Sequence, residues 1–165
     1  MKIPKILVER YQGYSLDEQR ILQVISVIDQ AKSLTEIREV LLKLNWQTST
    51  GILLSDFFKA KLRDRWVSDG VLIFKQNRMH CNSLITELIT RKTVKENLFA
   101  EIILAAEQLF PDLERNKSYG FSYYDEASKL ARQRKIRKAF YLNDEVMLLQ
   151  QLEIKTDIAL HSVNY

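Results

Sequence analysis

The chain has 165 residues, of which 25 are Lys or Arg and 21 are Asp or Glu, for a net charge of +4. At 46% hydrophobic and 28% charged it has ordinary globular composition, and only 4 Gly and 2 Pro exclude a collagen-like or low-complexity chain and favour long helices. One cysteine, Cys81, excludes an intramolecular disulfide, and no run of 18 apolar residues is present to span a membrane. The opening MKIPKILVER holds too short an apolar stretch for a signal peptide, so a cytoplasmic, intracellular setting is expected.

Residues 1–14, with Pro4, Gly13 and two tyrosines, read as an extended arm or irregular segment. Ser15 with Glu18 three residues on forms a capping box that opens a helix. That helix carries Ile21, Leu22, Val24, Ile25, Val27 and Ile28, apolar on most of its surface, and belongs in the middle of the core. Ser33 and Glu36 form a second capping box, before Leu34, Ile37, Val40, Leu41 and Leu44 mark one face of a short helix. Asn45–Gly51 is a polar break, and Ser49 or Thr50 could cap a third helix from about Ile52 to Trp66. Ser68-Asp69-Gly70 is a turn signal. Val71-Leu72-Ile73-Phe74 has strand character, Gln76-Asn77-Arg78 can close a tight hairpin, and Met79-His80-Cys81 would be the return strand.

Ser83 could cap a helix to about Arg91, and Thr93 with Glu96 reads as a third capping box for an apolar helix ending before Pro111. That helix, with Val94, Leu98, Phe99, Ile102, Ile103, Ala106, Leu109 and Phe110 at helical spacing, is either core or an oligomer seam. Residues 112–120 form a polar connection. Helices are then expected over about Tyr123–Tyr141 and Asp144–Leu160, with Asn143 capping between them.

Charge is unevenly spread. Residues 1–82 hold 13 basic against 9 acidic residues, and the rest of the chain balances 12 against 12. Within that balance Lys129, Arg132, Arg134, Lys135, Arg137 and Lys138 follow one another with no acidic residue between them. A sequence pI of about 9.1 permits nucleic-acid binding through local patches, and a solvated surface explains each patch equally well.

From Ser15 to Arg91 the order is helix, helix, turn, helix, short hairpin, helix. The stretch SLTEIREVLLKLNWQTSTGILLSDFFKAKLRDRWV, with Gly51 in the turn, and its continuation RWVSDGVLIFKQNRMHCNSLITELI resemble a winged helix-turn-helix over about residues 15–91. The matching features are Trp66-Val67 closing the third helix, Gly70 in the turn, and Val71-Leu72-Ile73 entering a wing whose tip lies near Gln76–Arg78. The resemblance implies a helix for the major groove and a wing for phosphates or the minor groove. On a helical projection Leu53, Leu54, Phe57, Phe58 and Leu62 face the core, while Ser55, Asp56, Lys59 and Arg63 fall opposite. Lys59 and Arg63 are the expected groove contacts, and Lys75 and Arg78 the expected wing contacts. Asp56 on the same arc opposes phosphate, and Lys61 and Arg65 project toward the apolar side. Trp66 is expected to pack against the wing rather than to stack a base.

In the second half, Tyr119, Phe121, Tyr123 and Tyr124 precede the basic run. Aromatics beside Arg and Lys suit a single-strand binder. The competing reading packs Phe121, Tyr123, Leu130, Ile136, Phe140 and Tyr141 into a helical hairpin and leaves the basic residues in water. Under the nucleic-acid reading Arg132, Arg134, Lys135, Arg137 and Lys138 form an accessory basic surface.

Two histidines and one cysteine give little metal chemistry, and His80 and Cys81 would point to opposite faces of a strand. No GxGxxG or Walker A motif is present, and the acidic pairs Asp17-Glu18, Asp125-Glu126 and Asp144-Glu145 sit where a helix dipole accounts for them. No catalytic constellation, metal or cofactor is expected. The expected fold is mainly α: a winged helix-turn-helix with a short β-hairpin wing over residues 1–92, extended by a helical hairpin over 93–165. The expected function is nucleic-acid binding, duplex DNA first, as a regulator or the N-terminal part of a larger nucleic-acid-acting protein. The alternative is a protein-interaction scaffold, with a protein partner or a homodimer through Val94–Phe110.

Overall fold

The computed structural model describes residues 4–111 and 126–151, and the side chains of these except residues 126–128. The chain is mainly helical with one small antiparallel sheet, and it divides into two units, Met1–Phe110 and Pro111–Tyr165. The first unit contains α1 (Lys5–Gln12), α2 (Leu16–Ile28), α3 (Leu34–Leu44), α4 (Leu54–Phe57), α5 (Ala60–Ser68), β1 (Leu72–Lys75), β2 (Arg78–Cys81), α6 (Ser83–Lys95) and α7 (Phe99–Leu109). The second contains α8 (Glu126–Leu142), followed by a helical stretch described over 145–151.

Two of the capping boxes form as read. Ser15 Oγ accepts from the Glu18 amide while the Glu18 carboxylate accepts from the Ser15 amide, and Ser33 and Glu36 repeat the arrangement. Helix α2 is buried without interruption from Ile21 to Ile28, including the polar Gln23 and Ser26, and packs against α3, α6, α7 and β2. Left-handed Asp29 and Asn45 end α2 and α3.

Four boundaries differ from the sequence reading. Residues 5–12 are helical rather than extended, because α1 sinks Leu7 and Tyr11 into the core. The third capping box does not form: Thr93 lies within α6, buried, with its hydroxyl donating to Ile89 O, and Asn82 caps that helix. Glu96 instead ends α6 as its C-cap, and its side chain accepts from Gln23 Nε2 at 2.7 Å and Arg20 Nη1 at 3.3 Å, tying α6 to α2. A boundary at 92/93 would therefore fall inside α6. Lastly, Asn143 takes the left-handed conformation at the end of α8, and it is Asp144 that caps the next helix by accepting from the Met147 amide.

The third helix is broken. Phe58 (φ −77°, ψ 104°) and Lys59 (φ −123°, ψ 165°) are extended and separate α4 from α5. The break lets Phe58, fully buried, stack on Trp66 with ring centroids 5.6 Å apart. Trp66 is itself fully buried and meets Tyr14 at 6.1 Å, so its ring partners are Phe58 and Tyr14. Neither Ser49 nor Thr50 caps α4. Thr48 organises the preceding turn instead, its hydroxyl accepting from the Thr50 and Ile52 amides.

Beyond the hairpin, the sheet has one more contact. Lys32, between α2 and α3, exchanges both backbone hydrogen bonds with Met79, Lys32 N to Met79 O at 3.0 Å and Met79 N to Lys32 O at 2.7 Å. The connection between α2 and α3 thus runs beside β2 on the side away from β1.

Candidate nucleic-acid interface

The hairpin is set by its turn. Register pairs Lys75 with Arg78, leaving Gln76 and Asn77 as the two loop residues at φ 51° and 59°. Both positive angles describe a type I′ turn, whose twist matches that of the flanking strands. Asn tolerates this conformation, whereas Gln76 adopts it with strain.

The four cations placed on this surface by the sequence fall into two pairs. Lys59 and Lys75 are exposed, the first at the N-cap of α5 and the second at the end of β1. Arg63 and Arg78 make contacts within the fold, Arg78 while its side chain stays 53% exposed. The Arg63 guanidinium lies over the Phe74 ring at 4.2 Å and meets Asp64 Oδ1 at 2.6 Å, with only 15% of its side chain exposed. Arg78 turns away from the hairpin tip, donating to Ala31 O at 3.1 Å and approaching Glu36 Oε2 at 3.7 Å. Arg63 and Arg78 first hold the hairpin to α5 and to the start of α3.

The broken helix explains the remaining differences. A continuous helix would put Lys61 toward the core, but the extension at residues 58–59 rephases the residues beyond it; Ser55, expected on the exposed arc, lies before the break in α4. Ser55 is buried and its carbonyl accepts from Arg38 Nε, whereas Lys61 is exposed. Lys61 thus joins Lys59 and Lys75 among the exposed cations of α5 and the hairpin, a residue that uninterrupted helical periodicity missed. Asp56 stays exposed but is offset by Arg38 at 3.6 Å. Arg65 bonds Glu18 and sits 5.3 Å from the Tyr14 ring, and Tyr14 donates to Asp69 Oδ2 at 2.6 Å.

Glu36 shows how the α3 start is held. Burial would raise its carboxyl, but the Ser33 hydrogen bonds and the charges of Lys32 and Arg78 outweigh this and keep it below the ordinary glutamate value. The Arg78 contact is therefore part of an electrostatic clamp.

In the second unit, Lys129 is exposed and Arg132, Arg134, Lys135, Arg137 and Lys138 are half-buried on α8. Arg132 Nη2 donates to Gln151 O at 2.7 Å, and the Arg137 guanidinium lies 5.9 Å from the Tyr141 ring. Leu130 and Phe140 are exposed rather than packed. Tyr119, Phe121, Tyr123 and Tyr124, the candidate stacking aromatics, lie outside the described residues.

Helix α7 uses Phe99, Ile102, Ala105 and Ala106 inside the first unit, against α2 and α3, so the face offered as an oligomer seam is spent on the core. His80 Nδ1 lies 2.9 Å from Cys81 O, and Cys81 is buried. Among the described residues no group of three or more His, Cys, Asp or Glu side chains could hold a metal ion, and no helix is long and apolar enough to cross a membrane. Compared with known proteins, the chain matches no family model, no curated protein and no solved structure.

Proposed function

We propose that the chain is a nucleic-acid-binding module whose first unit is a winged helix, with duplex DNA as its ligand. The observation that carries this reading is the Lys32–Met79 pairing. It adds a short extended segment between α2 and α3 to the far side of β2, so that helix, strand segment, helix, helix, and two hairpin strands follow in the order of a winged helix. The exposed cations Lys59, Lys61 and Lys75 lie on the elements that such a fold turns toward DNA. Arg63 and Arg78 act as supports that fix the wing, and Arg132–Lys138 supply a second basic surface.

Binding of the whole chain to random duplex DNA, followed by fluorescence anisotropy over a salt series, tests the reading. Micromolar affinity that falls steeply with salt is expected, because each neutralised phosphate contributes a slope of about −0.9 in log K against log salt. Lys59→Glu with Lys75→Glu should weaken binding about tenfold or more without altering the fold, since both side chains are exposed. No duplex binding at low salt would overturn the proposal.

One observation favours the other reading, a protein-contact domain on the same fold. Leu104 on α7 is 60% exposed and Leu42 on α3 57% exposed, on helices that pack together. Loss of a protein interaction on Leu42→Ser with Leu104→Ser, with duplex binding absent, would support it.

A further inference from the structure

Of the residues of α5, Trp66 alone is buried, so it marks the side of the helix that faces the core. At about 100° per residue Asp64 and Ser68 each project roughly 160° from Trp66, and Lys61 roughly 140°. All three are exposed, and Asp64 lies near the middle of the outward arc. A helix in the major groove turns its outermost line toward the base edges and its flanks toward the phosphate walls. On that line α5 carries a carboxylate that is 61% exposed. It repels phosphate, and the only hydrogen-bond donors on the groove floor are cytosine N4 and adenine N6.

Asp64 is held in place. Arg63 donates through Nε to Asp64 Oδ1 at 2.8 Å, and its Nη2 lies 2.6 Å from the same oxygen. An exposed ion pair normally contributes little, because both side chains keep their rotamer freedom. Here the cation is 15% exposed and seated on the Phe74 ring at 4.2 Å, so the carboxylate is anchored to a side chain that the hairpin fixes. Both contacts fall on Oδ1. Among the described residues none falls on Oδ2, which keeps its lone pairs for an outside donor. A preset acceptor on a short, anchored side chain is what base discrimination requires. Lys59 and Lys61, exposed at the start of α5, offset the repulsion between this carboxylate and the phosphates.

We propose that Asp64 is a specificity-determining residue that accepts a hydrogen bond from cytosine N4 in the major groove, so that the preferred ligand is a duplex with a C·G pair facing α5. The inference rests on the nucleic-acid reading above and deepens it from duplex DNA in general to a stated base. Cytosine is favoured over adenine because adenine sets its N7 acceptor beside the N6 amino group, against the carboxylate, whereas cytosine presents only the N4 donor.

The experiment selects bound duplexes from a random DNA library with the full chain, sequences them, and measures the selected duplex and its single-base substitutions by anisotropy. Cytosine should be enriched at one position, and its replacement there should cost about tenfold in affinity. Asp64→Ala should lose that preference, leave the rest of the selected sequence unchanged, and bind random duplex at least as tightly as the wild type, since a negative charge has gone. Asp64→Asn should change the preference at the same position to adenine, whose N6 and N7 match an amide. Both substitutions fall on an exposed side chain, and far-UV circular dichroism checks that the fold is kept. Should either variant lose helicity, the other decides. Duplex binding without sequence preference, or a cytosine preference that survives in both variants, would overturn the inference and leave the nucleic-acid reading standing. Absence of duplex binding by the wild-type chain removes both readings.

Discussion

The guanidinium carbon of Arg63 stands 4.2 Å from the centroid of the Phe74 ring, on a side chain that is 15% exposed and also bonded to Asp64. The contact joins α5 to β1 and fixes the angle between helix and hairpin.

A partly desolvated cation–π pair is worth about 1–2 kcal/mol. Arg63→Ala should therefore destabilise the first unit by about that much in urea unfolding. The same substitution made in Phe74→Leu should cost much less, because the ring is already gone. The coupling from this double-mutant cycle is the informative quantity. Additive effects would mean that Arg63 stabilises through Asp64 or by covering apolar surface, and that Phe74 is a bystander.

The hairpin turn holds a reserve of stability. Gln76 and Asn77 both sit at positive φ, and only Asn is suited to it. Gln76→Asn with Asn77→Gly supplies the favoured type I′ pair, relieving about 1 kcal/mol of left-handed strain. A rise in the urea midpoint with unchanged slope is expected. A fall would mean that the exposed Gln76 side chain makes a contact worth more than the strain. If the hairpin tip meets DNA, affinity should change by only a few-fold, since neither residue carries charge.

The legible part of the fold was the part written in local chemistry. Ser15–Glu18 and Ser33–Glu36 are reciprocal bonds within one helical turn, and the hairpin follows from strand-forming residues flanking a short polar turn. The illegible part depended on partners distant in sequence. Phe58 leaves the helix to stack on Trp66, and nothing in residues 52–66 alone marks that choice. Thr93 and Glu96 have the spacing of a capping box, yet Thr93 is drawn into the core and Glu96 to Arg20 and Gln23, more than 70 positions away. The site suffered from the same cause. Residue type identified the cations, but Ala31, Glu36 and Phe74 decided which of them are engaged within the fold, and a two-bond pairing at Lys32 is too short to leave a strand pattern.

Glu96 gives the fold an acid limit with a defined sign. Burial pushes its carboxyl upward, but hydrogen bonds from Gln23 and Arg20 and the charges of Lys92 and Arg20 prevail and hold it below the usual 4.5. A carboxyl depressed in the folded state contributes stability that is present above its unfolded value and lost as pH falls through the folded one. Glu36 is depressed in the same direction, so the two contributions fade together. Stability should be level above about pH 5 and decline progressively below the usual glutamate value. Glu96→Gln should cost about 1 kcal/mol at pH 7, a modest figure because the ion pair is partly solvated. As pH falls through the folded value the variant and the wild type should converge, since protonation removes the charge that the substitution deletes. Urea midpoints measured from pH 7 to pH 3 test this directly. Parallel curves would place the acid sensitivity elsewhere and reduce the α2–α6 tie to neutral hydrogen bonding.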